Sequence, residues 1–361
     1  MTRIVASSVL LALAVLTPRG AAAQVYPERI IAREKVRAVV TAYQQRRDSN
    51  NNREEQVERT TRTLKLGADG VLALGNIAGD IVVTRAGGSD ATVEIVKTAR
   101  GRDVNDAREQ LQLVQVEVTE RSGRADVRTR YPGPNPGPKS NNDERRNNNR
   151  RNFSVSVAYN VTAPAGTRLS IESISGSVKV TDIKGEVSAN TVSGDVRISG
   201  ATRISAAKTI SGLVEIVDVQ SDGVLESGSV SGDVLLRRVS ARRIDAASVS
   251  GNIRLDELQC DRVSANTTSG SVAFSGTLAR NGRYELNSFS GEIRLLLGGN
   301  TGFEIEANSF SGDVRTDFAI TMRGRDSGRS GRRKELNGTY GDGSAILDLT
   351  TFSGSIVISK R

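Results

Sequence analysis

The sequence predicts an all-β fold, a β-solenoid (single-chain β-helix) built from stacked repeats of about 18–21 residues, with a short N-terminal helical segment. Three observations predict it. A Ser-Gly pair with Val or Ile three residues after the Ser recurs at Ser175, Ser193, Ser211, Ser231, Ser250, Ser269, Ser290, Ser311 and Ser353. Its steps are 18, 18, 20, 19, 19, 21, 21 and 42 residues, the last reading as two periods with one copy lost. Around each copy, apolar residues alternate with polar ones, the period of a strand and not of a helix. Finally, one repeat cannot fold alone. Some five inward side chains at about 1.5–3 kcal/mol each do not offset ordering some twenty residues at about 1–2 kcal/mol apiece, so the repeats must share faces.

The columns assign inside and outside. Three residues after the motif Ser stand Val178, Val196, Val214, Val234, Ile253, Val272, Ile293, Val314 and Ile356. Five after it the residue is apolar in every copy but one, Thr316. Six before it come Leu169, Val187, Ser205, Leu225, Ile244, Val263, Tyr284, Ile305 and Leu347; four before it the residues are mostly small. Two before it every copy has Ser or Thr, which predicts an internal hydroxyl ladder. The parity of inward positions switches at the Gly, so the Gly is read as a corner that needs positive φ or a bulge. Each repeat is then strand, corner, strand, loop, and successive repeats are expected to stack in chain order.

From its start, the chain opens with a secretory-signal pattern in residues 1–23: Arg3, an apolar run from Ile4 to Leu16, and Ala21-Ala22-Ala23 before Gln24. It is either cleaved or kept as an uncleaved anchor. Residues 24–56 read as a helical segment (Ile30, Ile31, Val36, Val40, Tyr43) and an Asn-rich linker, the helix either standing alone or capping the solenoid. Residues 57–130 read as an N-terminal β-rich subdomain with a degenerate motif at Gly75-Asn76-Ile77-Ala78-Gly79-Asp80-Ile81 and a helix near 103–111 capped by Asp103. The Pro/Asn/Arg composition of residues 131–152 predicts a disordered loop. Solenoid repeats then fill 153–361, interrupted by a basic insertion at 323–337. Phe289, Phe310 and Phe352 precede the motif Ser in the last three copies and predict an aromatic stack. Lys360 and Arg361 are expected to leave charge on an exposed edge strand.

The formal net charge is +9, or +7 once Arg3 and Arg19 are removed with the leader. Residues 131–152 carry +3 and residues 323–337 carry +4, so everything else beyond the leader nets zero. Basic segments of this kind point to anionic polymers or head groups, although solvation alone also accounts for them. The candidate anionic-ligand residues are Arg323, Arg325, Arg329, Arg332, Arg333 and Lys334 in the insertion, and Arg254, Arg294 and Arg315 in an outward column of the repeats.

Other chemistry is largely excluded. The chain has no His, which removes Ser-His-Asp, Cys-His and histidine-metal sites. Its single Cys, Cys260, cannot form an internal disulfide and reads as a small buried residue. Neither a P-loop nor a dinucleotide fingerprint is present, so no cofactor is expected. Asp195, Asp233 and Asp313 follow the motif Gly, yet other copies carry Ser, Leu, Asn or Glu there. That column reads as turn chemistry, no catalytic or metal residue is assigned, and Asp233→Ser is expected to be nearly silent.

The repeated Ser-Val-Ser-Gly-Asp-Val, the ending from Gly341-Asp342-Gly343 through Leu347-Asp348-Leu349 to Ile358, and the leader together resemble the bacterial putative-adhesin family of β-strand-repeat proteins, over residues 64–361. The resemblance implies an exported β-solenoid and carries over no catalytic residues; the chain is expected to be a non-enzymatic scaffold in the periplasm, outer envelope or extracellular space. The expected partners are an anionic polysaccharide, a membrane surface or another envelope protein, with no specific nucleic acid. The alternative is a polysaccharide-acting enzyme, a lyase or hydrolase, built on a β-helix.

Overall fold

The computed structural model describes residues 53–132, 153–322 and 334–361. The chain divides into two units, 1–53 and 54–361, and the description concerns the second. The leader, the helix expected within 24–56 and most of the 131–152 segment lie outside the described residues. Strands β1 (Glu54–Leu64), β2 (Val71–Ala78), β3 (Ile81–Ala86) and β4 (Ala91–Gly101) precede the one helix among the described residues, α1 (Val104–Leu113). Then come β5 (Gln115–Arg121), β6 (Arg124–Arg130), β7 (Val155–Pro164), β8 (Arg168–Ser175), β9 (Val178–Thr181), β10 (Glu186–Ser193), β11 (Val196–Ser199), β12 (Arg203–Ser211) and β13 (Val214–Gln220). They are followed by β14 (Val224–Ser229), β15 (Val234–Ser248), β16 (Ile253–Thr267), β17 (Val272–Thr277), β18 (Arg283–Ser288), β19 (Ile293–Gly298), β20 (Phe303–Ser309) and β21 (Val314–Thr316). The chain closes with β22 (Thr321–Met322), β23 (Glu335–Tyr340), β24 (Ala345–Thr351) and β25 (Ile356–Lys360).

The fold is the expected nearly all-β solenoid. Parallel pairing aligns like on like: Val178, Val196, Val214, Val234, Ile253, Val272 and Ile293 are successive partners in one column, and all are fully buried. The Ser/Thr column is also buried, and it has a specific job. Thr209 Oγ1 donates to Gly194 O (2.9 Å), Ser248 Oγ to Gly232 O (3.0 Å), Thr267 Oγ1 to Gly251 O (2.9 Å) and Ser288 Oγ to Gly270 O (2.8 Å). Each hydroxyl thus holds the motif glycine of the rung before it. The glycine is required by close approach more than by its dihedral angle. A Cβ on Gly232 would overlap the carbonyl of Gly212, and the same holds along the whole ladder, whereas positive φ is confined to Gly79, Gly176 and Gly194.

Four departures from the sequence reading have physical causes. At Ser205, the register shifts between Val187 and Ser188, so Ile204 takes the inward place and Ser205 bulges. Aliphatic burial outweighs strict spacing there. The C-terminal repeats do not stack in chain order: β24 lies between β18 and β20, and β25 between β19 and β21. The step of 42 residues is therefore no lost copy but a return path, in which β23 runs antiparallel along β20 before the chain re-enters the stack. It follows that β25 is an interior strand and not an exposed edge; Lys360 lies over Phe318 and Tyr340 (5.2 and 5.8 Å), and Arg361 pairs with Glu257 (3.5 Å). Fourth, each of several rungs turns a second corner where the repeat pattern implies only a loop. Asp182, Asp218, Arg238 and Glu257 have φ between 51° and 58°, and beyond them Ile183, Val219, Val239 and Leu258 build a third buried wall.

The two ends are built differently. At the first, α1 begins at Asp103, whose side chain accepts from Asp106 N (2.8 Å), as its sequence position implies. The helix buries Ala107, Gln110 and Leu111. In the degenerate motif, Asn76 replaces the Ser/Thr hydroxyl: its Nδ2 donates to Gly79 O and Val157 O (both 2.7 Å), and its Oδ1 accepts from Thr129 Oγ1 (3.0 Å). Thr129 in turn bonds Tyr159, whose hydroxyl burial pushes up to about 12. At the other end Phe303, Phe318 and Tyr340 pack edge-on or tilted at 4.8–5.3 Å between centroids.

Candidate binding surfaces

Outward positions follow from the same repeat, so every outward position is copied into a column with rungs about 4.8 Å apart. The motif carboxylates are structural. Asp80 Oδ1 accepts from Ser177 N (2.8 Å), Asp195 Oδ1 from Leu213 N (2.9 Å), and Asp233 Oδ1 from Asn252 N (2.7 Å) and Asn252 Nδ2 (3.2 Å). Each ties down the corner of the following rung. With these bonds in place, Asp233→Ser is expected to be destabilising instead of nearly silent, since it removes a charge-assisted acceptor of Asn252.

The outward arginines form a spaced column. Arg254, Ala273, Arg294, Val357 and Arg315 are consecutive neighbours, because β25 is intercalated. Chain order alone puts Arg294 next to Arg315; the structure separates them by Val357 and gives a guanidinium every second rung, about 9.6 Å. Each is exposed and paired along its own strand: Arg254–Asp256 (3.5 Å), Arg294–Glu292 (2.6 Å) and Arg315–Asp313 (3.3 Å). Arg323, Arg325, Arg329, Arg332 and Arg333 lie outside the described residues. Lys334 is described: its ammonium stands 5.7 Å over the Phe310 ring, and its carbonyl accepts from Ser309 N (2.7 Å). Residues 335–337, the last of the expected insertion, belong to β23.

Acidic residues line another face. Glu285, Asp348 and Glu306 are neighbours on three adjacent rungs, with Asp348 in the middle. Partial burial, then Glu285 and Glu306 on either side, raise the Asp348 carboxyl above its ordinary value, with Arg283 opposing. The second corner carries a ladder of its own. Arg238 donates to both carboxylate oxygens of Asp218 (2.6 and 3.0 Å), and a polar groove of about 550 Å³ lies beside it, lined by Lys184, Gln220, Glu257 and Gln259 among others. Among the described residues no group of three or more His, Cys, Asp or Glu is arranged to hold a metal ion. Cys260 is buried, and burial pushes its thiol up to about 12.

A further column escaped the sequence reading except at its aromatic end. The residue before each motif Ser points outward: Ile174, Val192, Ile210, Val230, Val249, Thr268, Phe289, Phe352 and Phe310, in rung order, are all exposed. Phe352 is stacked between Phe289 and Phe310, at 4.9 and 4.7 Å and nearly parallel. The signal was available, since no copy carries charge at that position.

Comparison with known proteins adds the following. The Toastrack DUF4097 family matches residues 78–359. No curated protein matches. A putative adhesin of Bacteroides fragilis is similar in structure at 16% identity, covering 84% of this chain and 97% of its own, with TM-score 0.39. A putative cell adhesion protein of Clostridium sporogenes covers 86% of this chain and 100% of its own at 14% identity, TM-score 0.21. A putative lipid binding protein of Parabacteroides distasonis covers 66% and 90% at 17% identity, TM-score 0.34. No helix among the described residues is long and apolar enough to cross a membrane.

Proposed function

The chain belongs to the Toastrack DUF4097 family, and we propose that it is an exported, non-enzymatic scaffold that binds an anionic polymer of the cell envelope, a polysaccharide in the first instance. Export rests on the leader pattern of residues 1–23. One observation carries the binding reading: residues 133–152 and 323–333 carry +3 and +4, whereas the described residues together net −3. Residues 133–152 join β6 to β7 at one end, and residues 323–333 join β22 to β23 at the other. The column Arg254, Arg294, Arg315 leads toward the second, with a pitch that suits a polymer whose anionic groups repeat at about 9.6 Å. Against the enzyme alternative, the motif carboxylates of Asp80, Asp195 and Asp233 are engaged with backbone amides of the next rung, and that of Asp313 is paired with Arg315.

The test is salt-dependent retention on heparin. Replacing Arg323, Arg325, Arg329, Arg332 and Arg333 with Ser leaves β23 intact and should remove most retention at physiological ionic strength, where the screening length is about 8 Å. Substituting Arg254, Arg294 and Arg315 with Ser should matter less, because each already has a carboxylate partner. Loss with the column variant alone would move the site to the column; full retention by both variants would sink the reading.

A further inference from the structure

We propose that the outward apolar column is the interface of an antiparallel homodimer. The column runs without interruption over nine rungs, from Ile174 to Phe310, because each rung bonds its neighbour here: Ser231 N to Ile210 O (2.8 Å), Ser250 N to Val230 O (2.8 Å), Ser353 N to Phe289 O (2.9 Å) and Ser311 N to Phe352 O (3.0 Å). Eight of its nine members are large hydrophobics between 43% and 66% exposed. Side chains of that size, half exposed, present about 600–700 Å² of contiguous apolar surface, beyond the few hundred Å² usual on a monomer.

The strip is neutral as well as apolar. One flank is the exposed motif Ser of every copy; the other is the column three residues before it, which holds Asn190, Gly228, Ala247, Asn266, Asn287, Thr350 and Asn308 besides Glu172 and Lys208. Only those two of 27 positions are charged, where an ordinary surface of about 25–35% charged residues would hold seven or more. With its flanks the strip reaches the roughly 800 Å² per partner of a standard interface. The cations beside it are Lys208, paired with Glu226 (2.6 Å), and Lys334 over the terminal Phe310, which leaves most of its length without a charge for a phosphate-bearing or acidic partner.

Self-complementarity selects a second copy as the occupant. A two-fold axis at Val249, the fifth of nine rungs, sets the β-branched half of one strip against the aromatic half of the other. Phe289, Phe352 and Phe310 then face the partner's Ile210, Val192 and Ile174. Thr268, the one short member, leaves a groove of about 430 Å³ bounded by Phe289 and Phe352, and the partner's Val230 falls opposite it. At the ends, Lys334 over Phe310 comes to the rung of the partner's Glu172, twice by symmetry. A parallel arrangement would oppose Lys334 to itself and leave Thr268 facing Thr268.

The test is sedimentation equilibrium of the purified chain from about 1 to 100 μM, a range that separates standard-size interfaces from chance contacts. The expected result is a reversible species of twice the chain mass. Val249→Asp places two carboxylates at the axis and should weaken association about 100-fold or more, with the circular dichroism spectrum unchanged because Val249 is 48% exposed in the monomer. Orientation is read by oxidation: Val249→Cys should cross-link to itself, whereas Ile174→Cys should not, and the two single variants Ile174→Cys and Phe310→Cys should cross-link when mixed. A monomer at 100 μM overturns the proposal, as does a dimer indifferent to Val249→Asp or self-cross-linking of Ile174→Cys. A monomer that binds neutral phosphatidylcholine vesicles in a Val249-dependent way would assign the strip to lipid and overturn it equally. Heparin retention plays no part in this test, so the anion-binding reading can fail while the dimer stands.

Discussion

Gly232→Ala measures how tightly the corner ladder is packed. Gly232 lies outside the positive-φ region, so its backbone accepts alanine, and the whole effect comes from the added methyl. That methyl would overlap Gly212 O and Gly212 C and crowd Ser229 Oγ at 3.0 Å. Relief requires the two rungs to part locally by about an ångström, which forfeits contact attraction along the corner. It also breaks the bond from Ser229 Oγ to Gly212 O (3.1 Å). Overpacking costs about 1–3 kcal/mol and the hydrogen bond about 1 kcal/mol, for a total of about 2–4 kcal/mol. In a chain of this size that lowers the melting temperature by about 3–6 °C. The control is Gly87→Ala, in a loop where a Cβ meets nothing within 4 Å; it should be neutral or stabilise by a few tenths of a kcal/mol. Circular dichroism melts of the two variants and the parent decide the matter. If Gly232→Ala melted with Gly87→Ala, the glycine column would not be set by rung-to-rung approach.

Three further outcomes follow from particular contacts. Val234→Asp buries an unpaired carboxylate in the inner column and should lower stability by several kcal/mol, while Asp233→Ser should cost about 1–2 kcal/mol through the lost bonds to Asn252; urea titrations that rank them equally would contradict the inward and outward assignment. Rung order is testable by disulfide trapping: Phe289→Cys with Phe352→Cys, one rung apart, should oxidise to a disulfide, whereas Phe289→Cys with Phe310→Cys, about 9.6 Å apart, should not, since Cα atoms beyond about 7 Å cannot be bridged. Asp348→Asn should raise the melting temperature at pH 7. The folded state raises this carboxyl above its unfolded value, so its ionisation opposes folding above the folded pKa and the penalty disappears below the unfolded value of about 3.9. The gain, about 0.5 kcal/mol for like charges on adjacent strands, should shrink as pH falls and vanish near pH 3.5; a gain that grew in acid would reverse the assignment.

Much of this protein is determined by its sequence alone. The period of about 20 residues, the inward Val/Ile columns and the Ser/Thr ladder need only the two-residue alternation of a strand, which is local and repeats nine times. Asp103 as a helix cap is local too. The exclusion of histidine chemistry and the two basic segments are matters of composition. What the sequence left undetermined is non-local. Chain order cannot reveal that β24 and β25 re-enter between older rungs, because every repeat carries nearly the same faces and the 42-residue gap suits either path. That one placement decides which strands are edges, separates Arg294 from Arg315, puts Asp348 between two other acids and orders the phenylalanines as 289, 352, 310. The second corner is equally silent in sequence, since Arg238 and Glu257 have no local preference for positive φ and adopt it within the stacked rungs, where their side chains pair with Asp218 and Arg361 on other rungs. Repetition writes the rung into the chain; the order of nearly equivalent rungs is settled only when their edges meet in three dimensions.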